Sequence, residues 1–298
     1  MQNKFFRAEK ILPHVTRIAG MGGELCYLVE GAERALLIDG LCGVGSLRAF
    51  VRELTELPVM MAATHGHIDH TGAAWEYGEL FIHPDDIPLM YTPQHSGVEG
   101  RLGFASSPNP LGGEKRTTPT LRDVPPPRPV KTYPIYDGDI FDLGGVELEV
   151  IGVPGHTYGT VVLLDRKARV LFSGDACNVN TLLCSRNGSS TSIEEYAGSL
   201  AHFKAFQPYF DVMYGGHGEV AIPNTIIDDA IAMCGRILAG TDEAVPTVSV
   251  DGEEALLGSA RGENYLPACG GYCNIMYSRE TLHKRPHPVI KGEPNLYK

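Results

Sequence analysis

Four metal-capable side chains fall within six residues in the run Thr64-His65-Gly66-His67-Ile68-Asp69-His70. Neutral imidazoles and a carboxylate are donors that zinc and iron accept readily. The apolar run Pro58-Val59-Met60-Met61-Ala62-Ala63 precedes them and reads as a buried strand, so the cluster stands where a strand ends. His65 and His67 are two apart and face the same way on an extended segment. Asp69 and His70 follow at once and address a neighbouring point. The plain alternative is a solvated loop that happens to be rich in histidine. Against it stand three further donors: His156, Asp175 and His217 each follow an apolar strand and lie in a glycine-flanked loop. Any one of them alone reads as a hydrogen-bonded structural histidine or a turn aspartate. Strand-end loops along one sheet edge converge on one place, so their joint occurrence points to a shared metal site.

The elements that must position these residues alternate. Three short strands are expected over 15–19, 26–29 and 35–38, separated by glycine turns and ending at Asp39-Gly40. Helical spacing of Leu47, Phe50, Val51 and Leu54 follows, then the strand before the cluster, a short helix over 71–77, a strand over 80–83 and a helix over 84–91. Strands recur near 130–135, 140–143, 146–153, 161–164, 170–173 and 212–214. Two amphipathic helices are expected over 192–206 and 224–238, the first opened by a Ser192/Glu195 capping box. Such alternation marks an α/β layered fold. The chain reads as one domain over 1–298, with an insertion at about 92–131 and a C-terminal extension from about 241 that adds one or two hairpins. The insertion is rich in Pro and Gly and reads as irregular, either a functional loop or a surface excursion.

Composition narrows the partners. The 298 residues carry 25 basic and 36 acidic side chains, a formal charge of −11, which disfavours phosphate-backbone binding and argues against a nucleic-acid partner. The seven cysteines are scattered and odd in number, as expected of free thiols in a reducing compartment. Cys269-x-x-x-Cys273 has the alternative of a disulfide or a metal pair. Residues 1–20 hold no apolar core of signal-peptide length, and no stretch is apolar enough to cross a membrane. The expectation is a cytoplasmic protein that acts on a small molecule; oligomeric state is not readable.

Over roughly residues 12–240 the sequence resembles the metallo-β-lactamase-fold superfamily of metal-dependent hydrolases. The resemblance rests on Asp39 after a strand, the run His65–His70, His156 in Gly-His-Thr, Asp175 in Ser-Gly-Asp and His217 in Gly-Gly-His-Gly. It implies a four-layer αββα sandwich with two metals at one sheet edge. By resemblance His65, His67 and His156 bind the first metal, Asp69, His70 and His217 bind the second, and Asp175 bridges both. Asp39 supports the site without ligating. The bridging aspartate is similar to that of glyoxalase II, the homoserine-lactone lactonases and the tRNA-end-processing nucleases. Two departures stand out. Tyr158 occupies a place where proline is common, so its side chain is free to enter the pocket. Cys177-Asn178 follow Asp175 where the lactonases carry a tyrosine.

The chemistry implied is hydrolysis. Two divalent ions, zinc first and iron or manganese as substitutes, share a water, lower its pKa and supply the nucleophile. Tyr158 and Asp69 are the residues expected to handle protons. The expected substrate is a small ester, thioester, lactone or related bond. Alternatives are an iron-dependent redox enzyme of the same fold, similar to a sulfur dioxygenase, a phosphodiesterase, or a non-catalytic binding protein. Residues 92–131, with Leu102, Phe104 and Leu111 and the neighbouring Tyr91, are expected to wall the substrate pocket.

Overall fold

The computed structural model describes residues 1–107, 117–184, 188–218, 220–249, 252–287 and 290. The chain divides into two compact units: residues 1–150 with 216–219 and 291–298, and residues 151–215 with 220–290.

The first unit is built on a seven-stranded sheet in strictly sequential order. Its strands are β1 (Arg7–Leu12), β2 (Val15–Ala19), β3 (Leu25–Glu30), β4 (Ala35–Ile38), β5 (Val59–Ala62), β6 (Glu79–Ile82) and β7 (Lys131–Pro134). β1 to β4 form an antiparallel meander, and β4 to β7 run parallel. Every residue of β2 and β4 is buried, as expected of strands covered on both faces. α1 (Leu47–Arg52) crosses from β4 to β5 and buries Leu47, Phe50 and Val51; Ser46 caps it by accepting the Ala49 N–H. Two short helices, α2 (Ile68–Thr71) and α3 (Ala74–Tyr77), join β5 to β6. α2 corrects the expectation of a loop through the cluster, since the second half of the ligand run is a helical turn.

The segment after α4 (Ile87–Met90) is more regular than its composition suggests. It forms α5 (Pro93–Ser96) and α6 (Val98–Ser106), and both pack against α2. A Cβ on Gly100 would lie 2.0 Å from the Gln94 carbonyl oxygen, so that glycine serves close approach of α6 to α5 rather than flexibility. Arg101 and Ala105 are fully buried, and Leu102 and Phe104 pack against the core of this unit. The Arg101 guanidinium donates to the Gly43 and Pro125 carbonyls. Tyr91 sits edge-on to Trp75, with ring centroids 5.6 Å apart. The segment is therefore fastened into the unit on both sides. Leu111, in 108–116, lies outside the described residues.

The hairpin of β8 (Ile140–Asp142) and β9 (Glu147–Gly152) leads into the second unit. There β10 (Val161–Asp165) and β11 (Val170–Gly174) pair antiparallel. After β12 (Asn180–Leu183) and α7 (Ile193–Lys204) comes β13 (Val212–Gly215), which pairs parallel with β11; β14 (Ile222–Pro223) closes that side. The Ser192/Glu195 capping box at α7 is formed, with both reciprocal hydrogen bonds present. α8 (Ile226–Ala239) buries Ile226, Ile227, Ala230, Met233, Cys234 and Ile237 at helical spacing and lies beside α7. The C-terminal extension forms β15 (Val245–Val248), β16 (Glu254–Leu257) and β17 (Asn274–Tyr277), an antiparallel set that captures β12 as a parallel neighbour of β17. The cysteines are free thiols, Cys269 and Cys273 included. Among the described residues no helix is long and apolar enough to cross a membrane.

Candidate metal centre

In the first unit one carboxylate organises the ligand run. Asp39 closes β4 in the left-handed region, at φ 67°, a conformation that aspartate tolerates better than most residues. It is buried and accepts three kinds of donor. The Thr64 N–H reaches Oδ1 at 2.7 Å, the Thr64 hydroxyl lies 3.0 Å from both oxygens, and His70 Nδ1 lies 2.8 Å from Oδ2. A carboxylate only accepts, so His70 carries its proton on Nδ1. The same logic runs one residue further. The single Thr64 hydroxyl proton goes to Asp39, so Thr64 Oγ accepts from His65 Nδ1, 3.1 Å away. Both histidines are thereby set in the tautomer that leaves Nε2 with a lone pair, as a metal requires.

The rest of the run is held as tightly. A Cβ on Gly66 would lie 2.5 Å from the Asp86 carbonyl oxygen, and the Gly66 N–H donates to Asp86 Oδ2 at 2.6 Å. Glycine between the two histidines lets the chain pass that close. His67 sits just before α2, with its ring edge-on to His65 at 4.8 Å between centroids. His217 is brought in from the loop after β13. The Leu25 N–H donates to the Gly216 carbonyl at 2.8 Å, and Glu24 and His217 form an isolated antiparallel bridge. His217 Nε2 is 3.0 Å from Asp69 Oδ2. Donor atoms of Asp69, His70 and His217 all lie within 4.8 Å of one another. Burial works against the Asp69 carboxylate, but His70 and His217 outweigh it and hold its pKa well below the usual range. It is therefore an ionised carboxylate at neutral pH. This donor set fits a divalent ion: nitrogen and carboxylate donors, fixed tautomers and a supporting carboxylate behind them.

The second unit brings His156 and Asp175 together, with Nε2 and Oδ2 3.7 Å apart. The His156 Nδ1–H is taken by the Leu182 backbone carbonyl at 3.0 Å, which again leaves Nε2 for ligation. Tyr196 of α7 joins the two loops. Its ring fills the space where a Gly155 side chain would stand, and its hydroxyl donates to the Ala176 carbonyl at 2.8 Å. Tyr158, two residues after His156, is half-buried, and burial raises its pKa above the ordinary tyrosine value.

Two residues of the first unit stand out that motif reading passed over. His95 on α5 is buried, its Nδ1 3.0 Å from the Leu89 carbonyl and its ring edge-on to His67 at 5.4 Å. A lone histidine in an irregular-looking segment carries no spacing signal. Glu24 is buried beside Asp69, accepts the Cys42 N–H on Oε1 at 3.3 Å, and has its pKa raised by desolvation. Its only cue in the sequence is a carboxylate interrupting an apolar strand start.

Comparison with known proteins places this geometry in a family. Residues 19–199 match the metallo-β-lactamase superfamily, and the chain belongs to it. A relative from Gallus gallus, "Acyl-coenzyme A thioesterase MBLAC2", is 30% identical over 158 residues, 50% of this chain and 56% of that protein. The match thus spans little more than half of that relative's length. Among solved structures, a metallo-β-lactamase from Pontibacter korlensis superposes with a TM-score of 0.54 at 16% identity, covering 77% of this chain and 99% of that one. The sec-alkylsulfatase Pisa1 from Pseudomonas sp. gives 0.57 at 17% identity, covering 79% and 42%. These likenesses establish the α/β sandwich fold of the superfamily.

Proposed function

We propose that the chain is a metal-dependent hydrolase that cleaves a thioester or a related small ester or lactone. Its two units would act as one metallo-hydrolase domain. The observation that carries the reading is the Asp39 network, which fixes His65 and His70 with Nε2 available for ligation. In this proposal His65, His67, Asp69, His70 and His217, with His156 and Asp175, hold two divalent ions, zinc first and iron or manganese as substitutes. Asp175 would serve both ions, as the family resemblance implies. The ions, when bound, would supply an activated water and polarise the substrate carbonyl.

The chain's own residues supply orientation and proton handling. Asp69 stays ionised through the neutral range, so it would orient the attacking water by accepting a hydrogen bond from it. The Tyr158 hydroxyl, with its raised pKa, remains a donor at neutral pH. A thioester is favoured within the ester class by the likeness to the acyl-coenzyme A thioesterase. The proposed compartment is the cytoplasm, and the proposed substrate is a small molecule rather than a nucleic acid.

The test pairs elemental analysis with a hydrolysis screen of zinc-, iron- and manganese-loaded protein. The screen covers thioesters, esters, lactones and phosphodiesters, with oxygen uptake followed in parallel. Two metals per chain and turnover of a thioester or ester are expected. Oxygen consumption without hydrolysis would replace the proposal with a redox enzyme. Turnover confined to phosphodiesters would move the substrate class.

A further inference from the structure

Beside the His156 loop, the second unit holds enclosed donors on Tyr158 and Arg285 with no carboxylate on them among the described residues. Tyr158 Oη is shut off from solvent and, among the described residues, makes no hydrogen bond of ordinary geometry; the Arg285 guanidinium is its polar neighbour. Arg285 is half-buried, and its Nε and Nη2 are likewise enclosed and unpartnered. The guanidinium is close enough for its charge to act on the phenol. His287 closes the group from one side, its ring centroid 3.7 Å from that of Tyr158. The phenol oxygen can accept from the guanidinium, but a single oxygen does not match both Nε–H and Nη2–H, and the phenol proton is left without an acceptor. Two enclosed guanidinium N–H groups without an acceptor are costly even on a half-buried arginine, and such an edge suits a bound anion.

The nearby carboxylates are committed elsewhere. Glu195 takes the Ser192 N–H and hydroxyl in the α7 capping box. Glu194 accepts the Lys284 backbone N–H at 2.9 Å and lies 3.8 Å from His283 Nδ1. Meanwhile the same unit shows what the Nε/Nη2 edge of an arginine does when it is filled. Arg169 donates from Nε and Nη2 to the two oxygens of Asp211, at 2.8 and 2.7 Å. That edge matches two oxygens of a carboxylate or phosphate. Arg285 presents the same edge, inside the protein, with no acid on it.

We propose that Arg285 and Tyr158 form an anion subsite that grips a carboxylate or phosphate group of the substrate through the guanidinium edge and the phenol hydroxyl. Tyr158 is two residues after His156, so the anion is held beside the loop that carries a proposed metal ligand. The word substrate rests on the hydrolase reading; the binding of an anion does not.

The experiment therefore begins with binding. Zinc-loaded wild type, Arg285→Met and Tyr158→Phe are titrated calorimetrically with inorganic phosphate and, separately, with acetate, at ionic strength held constant with chloride. Saturable binding of at least one probe is expected in wild type. Arg285→Met should weaken it about tenfold or more, and Tyr158→Phe by less, as expected for losing charge-assisted and neutral hydrogen bonds. If Arg285→Met misfolds by circular dichroism, Arg285→Lys keeps the charge and loses the fork, and an intermediate weakening is expected. Absence of binding to wild type, or equal binding by the Arg285 variants, overturns the subsite; in the latter case the anion sits on the metal.

Kinetics then separate the sources. An acyl-coenzyme A is compared with the same acyl group on N-acetylcysteamine, which lacks phosphate, and a carboxylated acyl group with a neutral one. The Arg285→Met loss in kcat/KM should fall on whichever member of a pair carries the recognised anion. An equal loss for both members of both pairs rejects the substrate role. A chain that binds the probes and hydrolyses nothing keeps the subsite and loses the proposed function.

Discussion

His70 and His156 end in the same state by different means. His70 gives its Nδ1 proton to the side chain of Asp39, which also holds Thr64 and, through the Thr64 hydroxyl, His65. His156 gives its Nδ1 proton to a backbone carbonyl, that of Leu182. In the first unit one carboxylate sets two imidazoles and the strand-end turn at once. In the second unit the support is main chain, steadied by Tyr196 between the two loops. A side-chain support can be deleted by mutation and its loss spreads. A carbonyl support survives any substitution that leaves the backbone in place.

The largest expected effect comes from removing a donor itself. Asp175→Ala should lose metal and activity together, by more than the roughly 10- to 100-fold that loss of a supporting partner costs. The fold should persist, because a core of this size does not hang on one loop carboxylate. Circular dichroism, metal content and rate measured on one sample decide it. Full activity in the variant would remove Asp175 from the centre.

Asp39→Ala should come next. It strips acceptors from the Thr64 N–H and hydroxyl and from His70 Nδ1, all buried. Metal affinity should fall about 10- to 100-fold, and stability should fall by about 1–3 kcal/mol for each donor left unsatisfied. Chelator competition and chemical denaturation measure the two losses. A variant that binds metal like wild type would show that the tautomers are set by the metal rather than by Asp39.

Parts of this were legible in the sequence, for physical reasons that differ from place to place. β4 falls on its expected residues because a wholly apolar run between glycine turns has few other uses, and β2 does so on its β-branched residues despite Thr16 and Arg17. The capping box at Ser192 is a local code, and it forms as read. β1 was not legible: Arg7–Leu12 is an edge strand with little apolar pattern. α2 was not legible either. Ile68–Thr71 has no helical periodicity, and tertiary bonds hold the turn, such as the Gly40 N–H on the His70 carbonyl at 2.7 Å. In the insertion, glycine was read as freedom, whereas at Gly100 it permits contact. Of the candidate site, the seven proposed donors and Asp39 are marked by residue type and strand-end position. The Leu182 carbonyl was invisible in principle, since every residue offers one. Tyr196 falls inside the expected helix over 192–206, and only the fold shows where its hydroxyl goes.

The smallest expected effect is the sharpest test of the contrast. Leu182 lies on β12, partly buried against Met276 and its neighbours. Leu182→Ala removes apolar contact and should cost about 1–2 kcal/mol of stability, the low end for a leucine that is only partly enclosed. It leaves the carbonyl, and with it the His156 Nδ1 bond, untouched. Metal affinity should therefore stay within about twofold of wild type, a change under about 0.5 kcal/mol. Asp39→Ala and Leu182→Ala thus both lower stability, the first by more, and part company on metal, when both are followed by chelator competition at one temperature. If Leu182→Ala loses metal as Asp39→Ala does, packing around β12 positions His156 and the carbonyl does not. The two units would then hold their histidines by one principle, not two.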